Sequence, residues 1–396
     1  MTVKPKCRLL FVIDSLGTGG AEKSLVTLLN LLDYSCFEVD LQLFSYGGAF
    51  TGFLPGKVNL LPEPKAIHIL SQPLYKLLSQ PSVFIARVIY SLKIRWQKYD
   101  ITSRACLYWK IFGKYFKTSK IYDIAIAYGQ NMPTFYVVDR INATKKLAWV
   151  NVDYRINGKT RDFQRFYYQK MNIIVPVSNF VMEVFDTEVY PEFRHKMKIM
   201  PDIVDYSIIE RMAMRSVDKP IDCSCPVLMT TGRLNKPQKG YDLALKTTKI
   251  LKDKGVNFRW YAIGEGSYRS EMEYYIQENN LQNHFVLLGS TPNPYAYMRQ
   301  CDIYVQTSRH EGFGLTIAEA RILNKPVVCT NFEGCTMQIV HEKNGLITSF
   351  NPEDIADAIE RLLNDKTLYS NIQEYLRNEK KGNVEDIEKF YELIEG

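Results

Sequence analysis

The stretch EGFGLTIAEA, residues 311–320, sets Glu311 and Glu319 eight positions apart around a Gly312-Phe313-Gly314 turn. If a helix begins at about Gly314, the amides of that turn open at a helix start, where backbone N–H groups and the dipole attract phosphate. Glu311 would then project toward whatever the phosphate carries, and Glu319, more than a turn into the helix, would reach a neighbouring hydroxylated ring. A carboxylate accepts two hydrogen bonds from adjacent hydroxyls, so sugar and ribose are the natural targets. The plain alternative is a helix N-terminus whose dipole favours acidic residues.

Two further stretches could serve a phosphate. In TTGRLNKPQKGYDLALK a strand ends at Thr231, and Arg233 and Lys239 flank the turn before the next helix. Cations fixed at the carboxyl edge of a parallel sheet suit a diphosphate and stabilise the anion that develops on it; the alternative is a pair of solvated surface charges. Near the N-terminus, DSLGTGGAEKSLVTLLNLL passes from a strand end through glycines into a helix opening near Ala21. The dinucleotide fingerprint would need glycines at 17, 19 and 22, but position 22 is Glu22. No acidic residue closes the second strand, DLQLFSY, where a ribose hydroxyl would be held. Both departures count against a nicotinamide enzyme.

Rigid elements must hold these residues. Short apolar runs alternate with longer amphipathic stretches: CRLLFVI, FEVDLQLF, YDIAIAY, KKLAWVNV and NIIVPVS in the first half, then PVLMTTG, NFRWYAI, HFVLLG, DIYVQT and KPVVCT. That alternation predicts βαβ units and parallel sheets in both halves, an α/β fold with two sheets. The polar, Pro-punctuated stretch between them puts a domain boundary within about 203 to 224. The last segment, NVEDIEKFYELIEG, reads as a terminal helix.

A chain of 396 residues is long enough for two domains, and 46% hydrophobic with 23% charged residues is a globular composition. No uninterrupted apolar run reaches about 18 residues. The N-terminus lacks the apolar core and small-residue cleavage site of a secretory signal, so a cytosolic location is expected. The eight cysteines are scattered singly, and the close pair Cys223-Ser224-Cys225 has no second pair at zinc-ligand spacing; reduced, mostly buried thiols are expected. Repeats and low-complexity tracts are absent.

A net charge of +7 names no partner by itself, but its placement is uneven. Residues 87–120 hold nine Lys or Arg against one Asp, with eight aromatics interleaved. Such a segment suits an anionic bilayer surface, with rings entering the interface. Nucleic acid is the rival partner, and the solvated faces of two core helices are the plain reading.

In combination, GTGGAE, GRLNKPQKG, IGEGSYRSEME, GSTPNPYAYMRQCDIYVQTSRHEGFGLTIAEA and NKPVVCTNFEGCTMQIVHEKNGLI resemble the family 4 retaining glycosyltransferases. The resemblance runs in order from about residue 8 to 365 and is strongest between 226 and 350. It implies the GT-B fold, two Rossmann-like doubly wound domains facing a central cleft. An acceptor domain would cover 1–205, joined by a C-terminal helix over 380–396, and a donor domain 206–379. It further implies that Arg233 and Lys239 clamp the donor diphosphate, that Glu319 binds the nucleotide ribose and that Glu311 sits against the transferred sugar. The amides of Gly312, Phe313, Gly314 and Leu315 would complete the phosphate site, with Gly264 among the donor contacts. The loop of Gly17, Gly19 and Gly20 would approach from the opposite domain, and Ser290 to Asn293 would face the base. No metal or cofactor is implied, the nucleotide sugar being a substrate.

Many members carry a histidine in a W-aliphatic-H-x-D stretch on the acceptor side. Here LAWVNVDYR places Asn151 at that position and keeps the acid as Asp153. Asparagine hydrogen-bonds a sugar hydroxyl but cannot act as a general base near neutral pH, so Asn151 and Asp153 are expected as acceptor contacts. The resulting expectation is a metal-independent, retaining transferase of bacterial type. It would move a sugar from a nucleotide diphosphate, UDP, to a glycan or lipid-linked acceptor in surface polysaccharide biosynthesis. A peripheral place on the inner face of the cell membrane, with no nucleic acid partner, follows from the lipid-linked acceptors such enzymes often modify. The alternatives are a GT-B-shaped nucleotide-sugar epimerase and a non-catalytic nucleotide-sugar-binding partner subunit.

Overall fold

The computed structural model describes residues 5–96, 99, 101–151 and 160–395. The chain divides into two units, residues 1–17, 21–201 and 386–396 in the first, 18–20 and 202–385 in the second.

In the first unit the elements run β1 (Cys7–Ile13), α1 (Gly20–Leu31), β2 (Phe37–Leu43), β3 (Asn59–Leu60), α2 (Pro81–Trp96), α3 (Ile101–Phe112), β4 (Ile121–Ala127), α4 (Met132–Arg140), β5 (Asn142–Val150), α5 (Arg161–Gln169), β6 (Ile173–Pro176) and α6 (Asn179–Val184). The six strands form one parallel sheet in the order β3-β2-β1-β4-β5-β6. Leu9 to Val12 are fully buried on both faces, as expected when helices cover a parallel sheet on each side. The order reverses between β1 and β4, and such a switch point opens a crevice at the carboxyl ends of the strands.

The aromatic rings of α3 turn inward. Tyr108, Trp109 and Phe112 are buried, as is Phe116 beyond the helix, and Trp109 Nε1 donates to Asp139 Oδ2 at 2.7 Å. These rings belong to the core, which corrects the expectation that they enter a membrane interface. Lys110 stacks over the Phe163 ring at 4.4 Å, and Lys120 pairs with the buried Asp40 at 2.8 Å. The exposed apolar face lies on α2 instead. Ile85, Ile89, Leu92 and Trp96 are 56%, 43%, 50% and 83% exposed, and their spacing of four, three and four puts them on one stripe opposite buried Val83 and Ala86. Among the described residues no helix is long and apolar enough to cross a membrane.

The second unit contains α7 (Tyr206–Ala213), β7 (Val227–Thr231), α8 (Tyr241–Asp253), β8 (Arg259–Ile263), α9 (Arg269–Glu278), β9 (Phe285–Gly289), α10 (Tyr295–Met298), β10 (Ile303–Gln306), α11 (Leu315–Ile322), β11 (Val327–Thr330), β12 (Gly345–Thr348), α12 (Pro352–Asn364) and α13 (Lys366–Asn378). Its parallel sheet runs β12-β11-β10-β7-β8-β9, so the switch point falls between β7 and β10. Trp260 on β8 is fully buried, and its Nε1 donates to Thr230 Oγ1 at 2.8 Å, which satisfies the one polar atom of that ring. Helix α12 shows how the sequence sets an end: Asn351 accepts from the Glu353 amide, Pro352 opens the helix, and Glu353 and Asp354 sit in its first turn.

Helix α14 (Ile387–Glu395) closes the chain and packs on the first unit. Phe390 stacks on Phe11 and Tyr391 on Phe37, while Lys145 Nζ donates to the Leu393 carbonyl at 2.8 Å, a cation at a helix C-terminus. All eight cysteines are free thiols, and Cys106, Cys301, Cys329 and Cys335 are the buried ones.

Candidate functional site

The second unit gathers its candidate residues beyond the carboxyl ends of its strands. Arg233 and Lys239 follow β7, Gly264 follows β8, Ser290 to Asn293 follow β9, and Glu311 to Leu315 follow β10. Strands β7 and β10 flank the switch point, where α/β sheets bind their ligands.

The loop that carries Lys239 is held from both sides. Gly240 has φ +62°, and a Cβ there would lie 1.8 Å from the Thr307 carbonyl oxygen, so only glycine lets the two loops touch. Thr307 Oγ1 donates to the Lys239 carbonyl at 3.1 Å, and the Arg309 amide donates to the Gln238 carbonyl at 2.7 Å. The Arg309 guanidinium forks onto Asp242 at 2.8 and 2.7 Å. Burial would raise the Asp242 carboxyl, but that fork outweighs it and holds the group below its ordinary value.

Lys239 Nζ lies 2.7 Å from Glu311 Oε1 and 2.9 Å from Oε2. The same Oε1 accepts from Gln306 Nε2 at 2.7 Å and from Ser308 Oγ at 2.5 Å. Gln306, itself buried, donates a second bond to Ser308 Oγ, and its own oxygen faces the hydroxyls of Tyr304 at 2.9 Å and Thr316 at 3.2 Å. Glu311 is therefore a buried carboxyl group held by Lys239, Gln306 and Ser308 rather than one projecting freely from the turn. Gln306, Ser308 and Arg309 went unassigned in the sequence, although a glutamine ending an otherwise apolar strand, IYVQ, was the available signal.

The remaining donor-side candidates are distributed as follows. Glu319 is 2% exposed and accepts from Tyr295 OH at 3.0 Å; burial and the Glu319 charge push that phenol far up. Arg233 is exposed and has no ion-pair partner among the described residues. Gly314 precedes α11 with φ +79°, Leu315 is the first helical residue, and the Phe313 carbonyl accepts from Gln338. Gly312, just before Phe313, is partly exposed. Gly264 serves the backbone: a Cβ there would lie 1.9 Å from the Gly232 oxygen, so it lets the loops after β7 and β8 meet. Ser290 is exposed, whereas Asn293 turns inward and donates to the Met212 carbonyl at 2.9 Å, tying its loop to α7.

Gly17 belongs to the first unit and Gly19 and Gly20 to the second; Gly17 and Gly19 lie between β1 and α1, Gly20 opens α1, and the Gly17 amide donates to Ser15 Oγ. Asn151 follows β5; its Nδ2 donates to the Tyr128 carbonyl at 3.1 Å, and its Oδ1 is buried without a partner among the described residues. Asp153 lies outside the described residues. Asp14 ends β1 with water still reaching it, but the surrounding protein and the nearby Glu22 push its carboxyl up to about 7. Three His, Cys, Asp or Glu side chains placed to hold a metal ion are not found among the described residues.

Two doubly wound Rossmann-like units of this kind make up the GT-B fold, and solved structures agree. TarM covers the whole chain at a TM-score of 0.69 with 16% identity, and all of that protein is covered. HepE of Anabaena, solved with UDP-glucose, covers 98% of the chain and 99% of its own at 0.66 with 18% identity. At the sequence level, residues 218–379 match the family described as glycosyl transferases group 1, so the second unit carries a glycosyltransferase group 1 domain. A relative similar along most of the chain is the N-acetylgalactosamine-N,N'-diacetylbacillosaminyl-diphospho-undecaprenol 4-alpha-N-acetylgalactosaminyltransferase of Campylobacter jejuni, 26% identical over 371 residues, 90% of each chain. The poly(ribitol-phosphate) alpha-N-acetylglucosaminyltransferase of Staphylococcus aureus is 35% identical over 136 residues, 33% of this chain and 27% of its own. For that enzyme and two glycosyltransferases of Methanocaldococcus jannaschii, the chain spans only 27 to 41% of the relative's length.

Proposed function

We propose that this chain is a retaining, metal-independent glycosyltransferase of family 4 that takes a sugar from a UDP-sugar and passes it to a glycan or lipid-linked acceptor. The observation that carries the reading is the Lys239–Glu311 pair, held at the switch point of the group 1 domain. An ammonium fixed at the carboxyl edge of β7, with exposed Arg233 on the same loop, suits two adjacent phosphates and the negative charge that grows on the departing nucleotide. The Glu311 carboxylate would then hold hydroxyls of the transferred sugar, and Glu319, in the helix that starts at the Gly314 turn, would hold the ribose. On this reading the two side-chain cations and the helix start would take the place of a divalent ion at the diphosphate. The C. jejuni relative's undecaprenol-linked substrate supports a lipid-linked acceptor, and HepE's UDP-glucose supports the donor base.

A bilayer contact fits the same reading. The apolar stripe Ile85, Ile89, Leu92 and Trp96 stands among exposed Lys93, Arg95 and Lys76, a basic amphipathic face of the kind that lies in a lipid interface. Thermal-shift screening of UDP-, GDP- and ADP-sugars, with and without EDTA, tests the donor assignment. A ligand that binds only the folded state raises its melting temperature. Stabilisation by UDP-sugars with EDTA present is expected; stabilisation only with GDP- or ADP-sugars, or only with added metal, would overturn it.

A further inference from the structure

The first unit has a cavity at the other end of its sheet, where β1, β2 and β4 begin. It holds about 330 Å³ and is lined by Arg8 on β1, by Glu38 and Asp40 on β2, and by Ser119, Lys120 and Tyr122 where the chain enters β4. Arg8 stands near one end of β1 and Asp14 just past the other, roughly 20 Å apart for a strand of 7 residues. The cavity is thus remote from the carboxyl edge of the same sheet.

Its buried part is already satisfied. Asp40 is 4% exposed, and its carboxylate accepts from Asn59 Nδ2 at 2.6 Å, from Lys120 Nζ at 2.8 Å and from Tyr122 OH at 2.6 Å. Burial would raise the Asp40 carboxyl, but these bonds outweigh it and hold the group below its ordinary value; burial and the Asp40 charge push the Tyr122 phenol up. Asp40 therefore anchors Lys120. The rim is different. Arg8 and Glu38 are exposed and stand opposite each other in the β1–β2 register, yet among the described residues they form no ion pair, and neither side chain has a hydrogen bond. Lys120 keeps N–H donors beyond the one it gives to Asp40, and Ser119 adds an exposed hydroxyl.

We infer that this cavity binds a free α-amino acid, its carboxylate on Arg8 and Lys120 and its ammonium on Glu38. The lining charges decide the class. Two cations, Arg8 and Lys120, stand against two carboxylates, Glu38 and Asp40, so a phosphate meets repulsion as well as attraction, whereas a zwitterion presents each of its charges to the opposite one. The planar fork of Arg8 suits a carboxylate at two points. Neighbouring strands lie about 4.8 Å apart, so Arg8 and Glu38 are both within reach of one small molecule, and the volume stands at the small end of ligand sites. Ile121, 54% exposed on the same wall, offers the amino acid's side chain an apolar contact. Occupancy of this cavity does not depend on the transfer reaction.

Ligand-observed NMR titration of the full chain with the common L-amino acids tests the site, with inorganic phosphate and the des-amino and decarboxylated counterparts of each binder as contrasts. At least one amino acid should bind saturably, its two counterparts tenfold or more weakly, and phosphate not at all. Arg8→Gln and Glu38→Gln, both at exposed positions, should each weaken that binding tenfold or more, and without ligand both should melt with the wild type because neither side chain gives up a partner. Overturning results are binding of no amino acid, binding of phosphate in its place, equal binding of either counterpart, or unchanged amino-acid affinity in either variant.

Discussion

The Lys239 ammonium and the Glu311 carboxylate, 72 residues apart in sequence, meet at 2.7 and 2.9 Å with side chains only 18% and 10% exposed. Removing either charge from so dry a place leaves the other without its partner. Lys239→Met should therefore lower stability by on the order of 2 to 4 kcal/mol, and adding Glu311→Gln should restore much of it. Urea denaturation of the single and double variants checks this; equal losses in both would mean that the pair is not coupled.

The two glutamates are expected to fail differently. Glu311→Gln keeps the shape of the Gln306–Ser308 network but loses its charge, so kcat should fall more than donor affinity. Glu319→Ala empties the buried place beside Tyr295 and should act mainly on donor KM. Steady-state kinetics showing full activity for both would remove them from the site.

The diphosphate clamp makes a third expectation. Substituting Arg233 or Lys239 by Ala should cost about 2 to 4 kcal/mol of transition-state stabilisation, the range found when one preorganised donor is deleted. Rates measured at saturating donor decide it, and an unchanged rate for Lys239→Ala would contradict the clamp.

Asp14 sets a pH dependence. The protein packed around this solvent-touching side chain and the nearby Glu22 disfavour its charge and push its folded-state carboxyl up to about 7, above the ordinary carboxylate value. The native state thus binds more protons than the unfolded chain between about pH 4 and 7, so stability from this group falls as pH rises through that window. Asp14→Asn removes the dependence. The variant should melt above the wild type at pH 8 and together with it at pH 4, and identical melting at both would refute the assignment.

Membrane contact should follow the α2 stripe, not the rings of α3. The unmodified chain should sediment with anionic liposomes at low salt, in part released as salt screens the charges. Replacing Ile85, Ile89, Leu92 and Trp96 by Ser should abolish the salt-resistant part. Equal sedimentation of that variant would show that these side chains do not enter the bilayer.

How much of this was legible in the sequence follows from what each pattern encodes. Runs such as CRLLFVI and PVLMTTG read as strands because both faces of a parallel sheet are buried, and the short helix-opening turns at Gly20 and Gly314 fell where the glycines placed them. Strand β12 escaped because four residues, GLIT, carry too little periodicity, and α7 because it is eight residues long within a polar stretch. For α3 the composition was read without its helical phase: Tyr108, Trp109 and Phe112 share one side, and that side is the core, where Phe116 beyond the helix is buried too. The candidate residues themselves were nameable from their types, but the ion pair between Lys239 and Glu311 and the orienting roles of Gln306 and Arg309 arise only when β7 and β10 lie side by side.

Product analysis by NMR tests the transfer reaction most directly, using a UDP-sugar, a panel of methyl glycosides and lipid-linked saccharides, and EDTA throughout. Transfer predicts free UDP and a new glycoside whose anomeric carbon keeps the configuration it had in the donor. A nucleotide sugar with altered configuration would mean an epimerase, an inverted linkage would exclude retention, and an untouched donor across the whole panel would mean that the site binds nucleotide sugar without turning it over.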